Sequence, residues 1–212
     1  MEASAEPRSA RKRQAILGAA TGAFLRSGYL GTSMDEIAAQ AGVSKQTVYK
    51  HFADKPTLFA EIVTNRVDAA GDPVELQVAD LPGGDDLGAD LSALARRQLR
   101  AVMRPELMQL RRLVIGEATR FPELGRTFYE RGQGRTVAAL ASAFASLAER
   151  GALELDDPAR AASHFNWLVM SAPVNRAMLL GDGEIPPPAE LDRYADEGVR
   201  AFLAAYGGAG SR

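Results

Sequence analysis

An all-α fold follows from three features of the sequence. Glycines and prolines punctuate it, and apolar residues recur at helical spacing in the stretches between them. Pro105, Pro122, Pro158 and Pro188 each stand where such a stretch begins, a position that tolerates the missing N–H. No run of alternating β-branched residues is long enough to make a strand. With 46% hydrophobic residues over 212 positions, the chain can build one core, or a small domain joined to a larger one.

The elements follow in order. Ala10 to Arg26 places Ile16, Leu17, Ala20 and Phe24 on one face of a first helix, which Gly28 ends. Ser33-Met34-Asp35-Glu36 is a capping box, with Ser33 as N-cap and Glu36 returning to its backbone N–H. The short helix it opens buries Met34, Ile37, Ala38 and Ala41 and stops at Gly42, which is free to take a positive φ. Ser44 caps a second short helix running to His51 or Phe52. Asp54 caps a longer one that carries Leu58, Phe59, Ile62 and Val63, tolerates Pro56 in its first turn and ends near Gly71. Residues 71–86 read as a linker. Helices then cover 87–104, 105–120, 122–150 with a break at Gly132 or Gly134, 158–180 and 188–206. The spacing thus predicts an N-terminal helical domain over 10–55, a linking helix over 54–70 and a helical body over 71–206. Residues 1–9 and 207–212 read as disordered ends.

Composition and charge narrow the function. Cysteine is absent and only His51 and His164 are present, which removes thiol nucleophiles, thiolate zinc sites and a His-rich metal centre. No metal, cofactor or catalytic constellation is expected. Neither a signal peptide nor a run of apolar residues long enough to span a membrane is evident, so a cytoplasmic protein without a membrane partner is expected. The net charge of −2 is unevenly spread: Arg8 to Lys55 holds eight basic residues and three acids, and contains every lysine of the chain. A basic first quarter on an acidic body suggests one end that meets a polyanion.

The two short helices, joined through Ala41-Gly42-Val43, form a helix-turn-helix in which the glycine allows the bend and Val43 plugs the angle. With Ala41, Val48 and Phe52 turned inward, Lys45, Gln46, Tyr49 and Lys50 share the outer face of the second helix. Two cations, an amide able to pair bidentately with adenine and an aromatic able to pack on a thymine methyl suit a major groove. Arg8, Arg11, Lys12 and Arg13 are either an arm touching the DNA or a solvated helix start.

Residues 13–63 resemble the DNA-binding domain of the TetR/AcrR repressors nearly end to end. Ile16, Ala20, Phe24 and Gly28-Tyr29 match, as do Thr32-Ser33, Ile37-Ala38, Ala41-Gly42-Val43-Ser44, Thr47, Tyr49-Lys50-His51-Phe52 and Lys55. Pro56 departs from the pattern. The resemblance implies that Thr32, Ser33, Thr47, Lys50, His51 and Lys55 hold phosphates, that Lys45 and Gln46 reach base edges, and that Tyr49 can do either. It also implies a homodimer on a palindrome-like operator, with a body that binds a small-molecule effector and dimerises through helices 158–180 and 188–206. Phe165, Leu168, Val169, Ala172, Leu191, Val199, Phe202 and Leu203 are the apolar members of those two helices. Residues 116–132 more faintly resemble the AefR-type C-terminal half.

In the body, Met103, Met108, Phe128, Phe144, Trp167 and Met170 are either plain core or the walls of a mostly apolar pocket. Glu117, Arg120, Asn166 and Asn175 would be its polar groups. The arginines at 96, 97, 100, 104, 111 and 112 read as an interhelical salt-bridge face, and His164 as a hydrogen-bonded core or interface residue. The function expected is a DNA-binding transcriptional regulator, a repressor released by a largely apolar ligand. An activator of the same family and a ligand-independent architectural DNA-binding protein are the alternatives.

Overall fold

The computed structural model describes residues 8–208, which form ten α-helices joined by short turns. The chain divides into two compact units. One holds the residues up to Arg66 together with Gln109–Thr127; the other holds Val67–Met108 and the residues from Phe128 onward.

In the first unit, α1 (Arg8–Gly31) buries Ile16, Leu17, Ala20 and Phe24 as its spacing predicts, and its regular helical path breaks at Gly28, where φ is 72°. Arg8 and Ser9, expected to be disordered, already belong to the helix; the rest of the expected arm lies outside the described residues. Ser33 caps α2 (Met34–Gln40), its hydroxyl accepting from the Glu36 N–H at 3.1 Å. The Glu36 carboxylate, rather than returning to Ser33, accepts from Gln40 Nε2 at 2.9 Å, one turn further along the same face. Gly42 turns the chain with φ 64°, a left-handed conformation that a Cβ would oppose, and the Val43 N–H closes the turn on Ala38 O at 3.1 Å. Ser44 then caps α3 (Lys45–His51) by accepting from the Thr47 N–H. Asp54 likewise accepts from the Thr57 N–H at the start of α4 (Lys55–Asp80).

These caps hold three short helical starts in place, and apolar burial fixes them together. Val48 and Phe52 from the end of α3, and Leu58, Phe59, Ile62 and Val63 from α4, are all buried. The rings of Phe24, Tyr29 and Phe59 form a cluster with centroids 5.0 to 5.8 Å apart. Phe121 adds an edge-on contact to Tyr29 at 5.0 Å.

In the second unit, α4 corrects the expected linker. The helix does not end near Gly71 but runs through Gly71 and Pro73 to Asp80, so residues 71–80 are helical. An interior proline ordinarily costs about 3 kcal/mol, and two sets of contacts offset it. Val74 and Val78 enter the apolar core. Asp68, Asp72 and Glu75, spaced along one face of α4, meet two arginines. Arg131 binds Asp68 through two hydrogen bonds of 3.0 and 2.6 Å, while Arg135 reaches Asp72 at 2.6 Å and pairs with Glu75. Local sequence signals for a break are overridden by tertiary contacts that reward continuity.

A short turn, Leu81–Gly83, leads to α5 (Leu87–Val102), followed by α6 (Pro105–Glu117), α7 (Pro122–Tyr129), α8 (Arg135–Glu149), α9 (Pro158–Leu180) and α10 (Pro188–Tyr206). All four prolines open helices as the sequence predicts. The break expected at Gly132 or Gly134 is a π-type turn over Glu130–Gly134, with Gly132 at φ −97° and ψ −106°. The core of this unit is built on Phe144, Phe165 and Phe202, whose ring centroids lie 5.1 to 5.7 Å apart. Gly198 lets α10 approach the backbone of α9, since a Cβ there would stand 2.8 Å from Leu168 O. Part of the arginine run is the salt-bridge face expected of it: Arg96 grips Asp196 with two bonds of 2.7 Å, and Arg100 pairs with Asp192, tying α5 to α10.

The expected disordered end is also revised. Gly207 and Gly208 are buried, the Glu154 N–H donates to Tyr206 O at 2.8 Å, and the Gly208 N–H donates to Ala152 O at 3.0 Å. Positions 209–212 lie outside the described residues. Among the described residues, no helix is long and apolar enough to cross a membrane.

Candidate nucleic-acid interface

The site is built from α3 outward. Val48 is fully buried and Phe52 nearly so, which fixes the roll of the helix and leaves Lys45, Gln46, Tyr49 and Lys50 exposed on its other side. This is the set that the spacing places on the outer face. Tyr49 is 45% exposed, an unusual position for a large ring in a helix whose inner face is apolar.

Lys45 is held in advance. Its ammonium donates to Asp35 on α2 at 3.0 Å, and this hydrogen bond with the carboxylate pushes the lysine pKa up. Both side chains are more than half exposed, so the pair contributes little to stability and can be exchanged for a base edge or phosphate at small cost. Thr47 is half-buried and its hydroxyl lies 2.8 Å from that of Ser44, the residue that caps the helix. Ser33 is exposed at the start of α2 and His51 half-buried at the end of α3, beside Phe52. Arg13 is not part of a free arm: it pairs with Glu61 and lies 5.1 Å over the Phe52 ring.

Two of the expected phosphate residues prove to have internal partners. The Thr32 side chain is 2% exposed and its hydroxyl donates to Gly28 O at 2.9 Å, so it secures the turn after α1 rather than facing outward. Lys55 donates to Tyr29 O at 2.9 Å and Thr32 O at 2.8 Å, with its ammonium 4.5 Å over the Tyr29 ring. Burial, and then repulsion from Arg120, hold its pKa below the usual lysine value. An ammonium carries three N–H groups, and two of those of Lys55 are used within the fold.

The expected pocket residues separate. Met103, Met108, Phe144 and Met170 are buried in the core of the second unit, and Asn166 is 1% exposed among them. Phe128 is half-buried. Trp167 is corrected: it is 48% exposed, because α9 turns Asn166 inward and the next residue outward. Glu117 is corrected as well. It belongs to the first unit, where its charge acts on Lys55 and Tyr29 and Arg120 opposes it. Sequence reasoning also missed Gln98. It is 3% exposed and donates to Asn166 Oδ1 at 3.2 Å. The signal was present, since Gln98 follows Leu91 and Leu94 on the apolar stripe of α5.

The apolar set expected on the dimerising helices divides. Phe165, Val169, Leu191, Val199 and Phe202 are buried within their own unit, and Leu203 is half-buried. Leu168 and Ala172 are exposed, and so are Trp167, Leu179 and Leu180 of α9, which lie outside the expected set. His164 places its Nδ1 2.5 Å from the Tyr206 hydroxyl, a hydrogen bond as expected, but it is exposed rather than part of the core.

Comparison with known proteins matches both parts of the chain. Residues 16–62 match the family of bacterial regulatory proteins called tetR, and residues 89–208 match the C-terminal domain of AefR-like transcriptional repressors. A TetR-family transcriptional regulator from Mesorhizobium loti is 48% identical and superposes with a TM-score of 0.87, covering 95% of this chain and all of that one. The flavonoid-responsive regulator FrrA is 32% identical over 93% of this chain and 98% of its own, with a TM-score of 0.74. The transcriptional activator FasR of Mycolicibacterium smegmatis is 42% identical over 62 residues, which are 29% of this chain and 28% of FasR. The match to that curated relative thus covers well under a third of its length.

Proposed function

The chain belongs to the TetR family of bacterial transcriptional regulators, with an AefR-like C-terminal domain, and from that premise we propose that it is a homodimeric repressor released from a palindrome-like operator by a small, largely apolar effector. Regulators of this family bind DNA and are not enzymes. The observation that carries the DNA-binding reading is the roll of α3. Burial of Val48 leaves Lys45, Gln46, Tyr49 and Lys50 together on the exposed side of a helix that Ser44 caps.

In this reading Lys45, Gln46 and Tyr49 meet base edges. Gln46 pairs bidentately with adenine, and Tyr49 packs on a thymine methyl. Ser33, Thr47, Lys50, His51 and the remaining N–H of Lys55 hold phosphates and set the register. Thr32 acts indirectly, by fixing the turn that Lys55 also grips. Dimerisation is supported by the exposed stripe on α9: Leu168, Ala172 and Leu179 fall on one helix face, and Leu179 is 75% exposed. Two copies are required because the operator offers two half-sites one helical turn or a multiple of it apart.

Release is a population shift. An effector that prefers a body conformation with a different spacing of the two α3 helices lowers DNA affinity by its differential binding to the two states. A coupling of about 1–3 kcal/mol corresponds to roughly 5–150-fold in affinity. Helix α4 supplies the continuous lever, since it begins beside α3 and runs unbroken for 26 residues. The responsiveness of FrrA to flavonoids supports an effector for this chain too. FasR, an activator, shares the DNA-binding end, so transcription from the selected operator is the measurement that fixes the sign of regulation.

The test is selection of bound sequences from random DNA by the purified full chain, then a salt series on the enriched site. A palindrome-like site bound by two chains, with affinity falling steeply in salt, is the expected result. Salt-steep binding without an enriched site would mean an architectural DNA-binding protein.

A further inference from the structure

Among the buried polar atoms that the second unit's own fold leaves without a hydrogen bond, two belong to carboxamides that face each other. Gln98 on α5 and Asn166 on α9 are both more than nine-tenths buried and make one hydrogen bond, Nε2 to Oδ1 at 3.2 Å. Gln98 Oε1 and Asn166 Nδ2 are themselves buried and have no hydrogen-bond partner among the described residues. Each such atom carries the full desolvation cost of a buried polar group, and native interiors satisfy nearly all of theirs. Replacing both partners of such a pair by apolar groups of similar shape is often nearly neutral, so stability alone does not account for them.

Their surroundings are suited to a guest. One turn before Asn166 is the small Ala162, and one turn before Gln98 are Leu94 and Ala95, all fully buried. One turn after Asn166 is Met170, and Met103 and Met108 belong to the same core. Unbranched thioethers repack around irregular shapes more readily than branched side chains.

We propose that Gln98 and Asn166 are the polar anchor of the effector site, and that the effector is a neutral, largely apolar molecule carrying a hydroxyl group. The proposal rests on the reading that this body takes a small-molecule effector. One hydroxyl completes the pair: its O–H donates to Gln98 Oε1 while its oxygen accepts from Asn166 Nδ2. Rotating both amides by half a turn exchanges the donor and acceptor sides but leaves the same complement, one of each. A carboxylate would face the amide acceptor and an ammonium would leave the amide donor unused. The other buried polar side chain of this unit is Thr136, and no charged side chain among its described residues is fully buried, so an ionic group would enter without a counter-charge.

The experiment uses the full chain and matched probes differing only in the hydroxyl: 2-naphthol against 2-methylnaphthalene, and octanol against nonane, with Kd measured by calorimetry. Single variants Gln98→Leu and Asn166→Leu are compared with the double variant, which removes both partners at once and leaves no orphan to unfold the core. The expected result is that at least one alcohol binds on the order of tenfold tighter than its hydrocarbon, and that the preference vanishes in the folded double variant. Equal affinities, no binding of either alcohol, or a preference that survives the double substitution would overturn the anchor. Operator affinity measured with and without the bound alcohol separates the two readings: an alcohol that binds through the amides yet leaves DNA affinity unchanged upholds the anchor and refutes ligand release.

Discussion

Lys55 gives the sharpest separation between what the family pattern implies and what the fold does. As a plain phosphate contact, it should be replaceable without effect on stability. In the structure its ammonium donates to Tyr29 O at 2.9 Å and Thr32 O at 2.8 Å and covers the Tyr29 ring, so it closes the turn between α1 and α2 onto the start of α4. Hydrogen bonds involving a charged partner contribute about 1.5–3 kcal/mol each at best, and a cation over an aromatic ring about 0.5–1 kcal/mol where it is partly exposed. Lys55 is half-buried, and burial together with Arg120 already disfavours its charge. That opposes part of the gain and leaves roughly 2 kcal/mol for the set. Lys55→Gln is therefore expected to lower the melting temperature by about 4–8 °C, the scale for a chain of this size. Lys50→Gln, on the exposed end of α3, is expected to stay within about 0.5 kcal/mol of wild type. Both should reduce the salt slope of operator binding by about one unit. Thermal unfolding and filter binding across a salt series read the two effects separately. A Lys55→Gln variant as stable as Lys50→Gln would refute the internal role.

Gln46→Ala should relax preference at one operator position by about 1–3 kcal/mol, read as a changed selection profile with the other positions intact. Phe202→Ala, at the centre of the Phe144, Phe165 and Tyr206 ring cluster, should cost about 3–5 kcal/mol in chemical denaturation. Leu179→Glu places a charge on the exposed α9 stripe and should shift sedimentation toward the monomer; an unchanged sedimentation coefficient would remove this stripe from the dimer interface. The Asp54 cap gives a pH signature. Its hydrogen bonds to the Thr57 side chain and backbone lower its pKa in the folded state, so its contribution is present above the ordinary carboxylate range and is lost as pH falls through the depressed value. The stability difference between wild type and Asp54→Ala should accordingly shrink on acidification, measured by unfolding at stepwise lower pH.

The start of the molecule is legible in local chemistry alone. Ser33, Ser44 and Asp54 announce helix starts because a side-chain oxygen accepting a free N–H is a local event, complete within four residues. Gly42 announces the turn because its φ of 64° is a property of one residue. The outer face of α3 follows from which positions must be buried. Tertiary structure decided what depends on partners distant in the chain. Gly71 and Pro73 are local signals to stop, yet α4 continues because Arg131 and Arg135, some sixty residues away, bind Asp68, Asp72 and Glu75. Thr32 and Lys55 look like surface donors until the carbonyls of Gly28 and Tyr29 are brought beside them. Trp167 looks like a pocket wall until the roll of α9 turns Asn166 inward instead, against Gln98. Capping and turn chemistry are short-ranged and legible residue by residue. The direction in which a helix face is buried, and which polar atom finds a partner there, is settled only when separate segments pack.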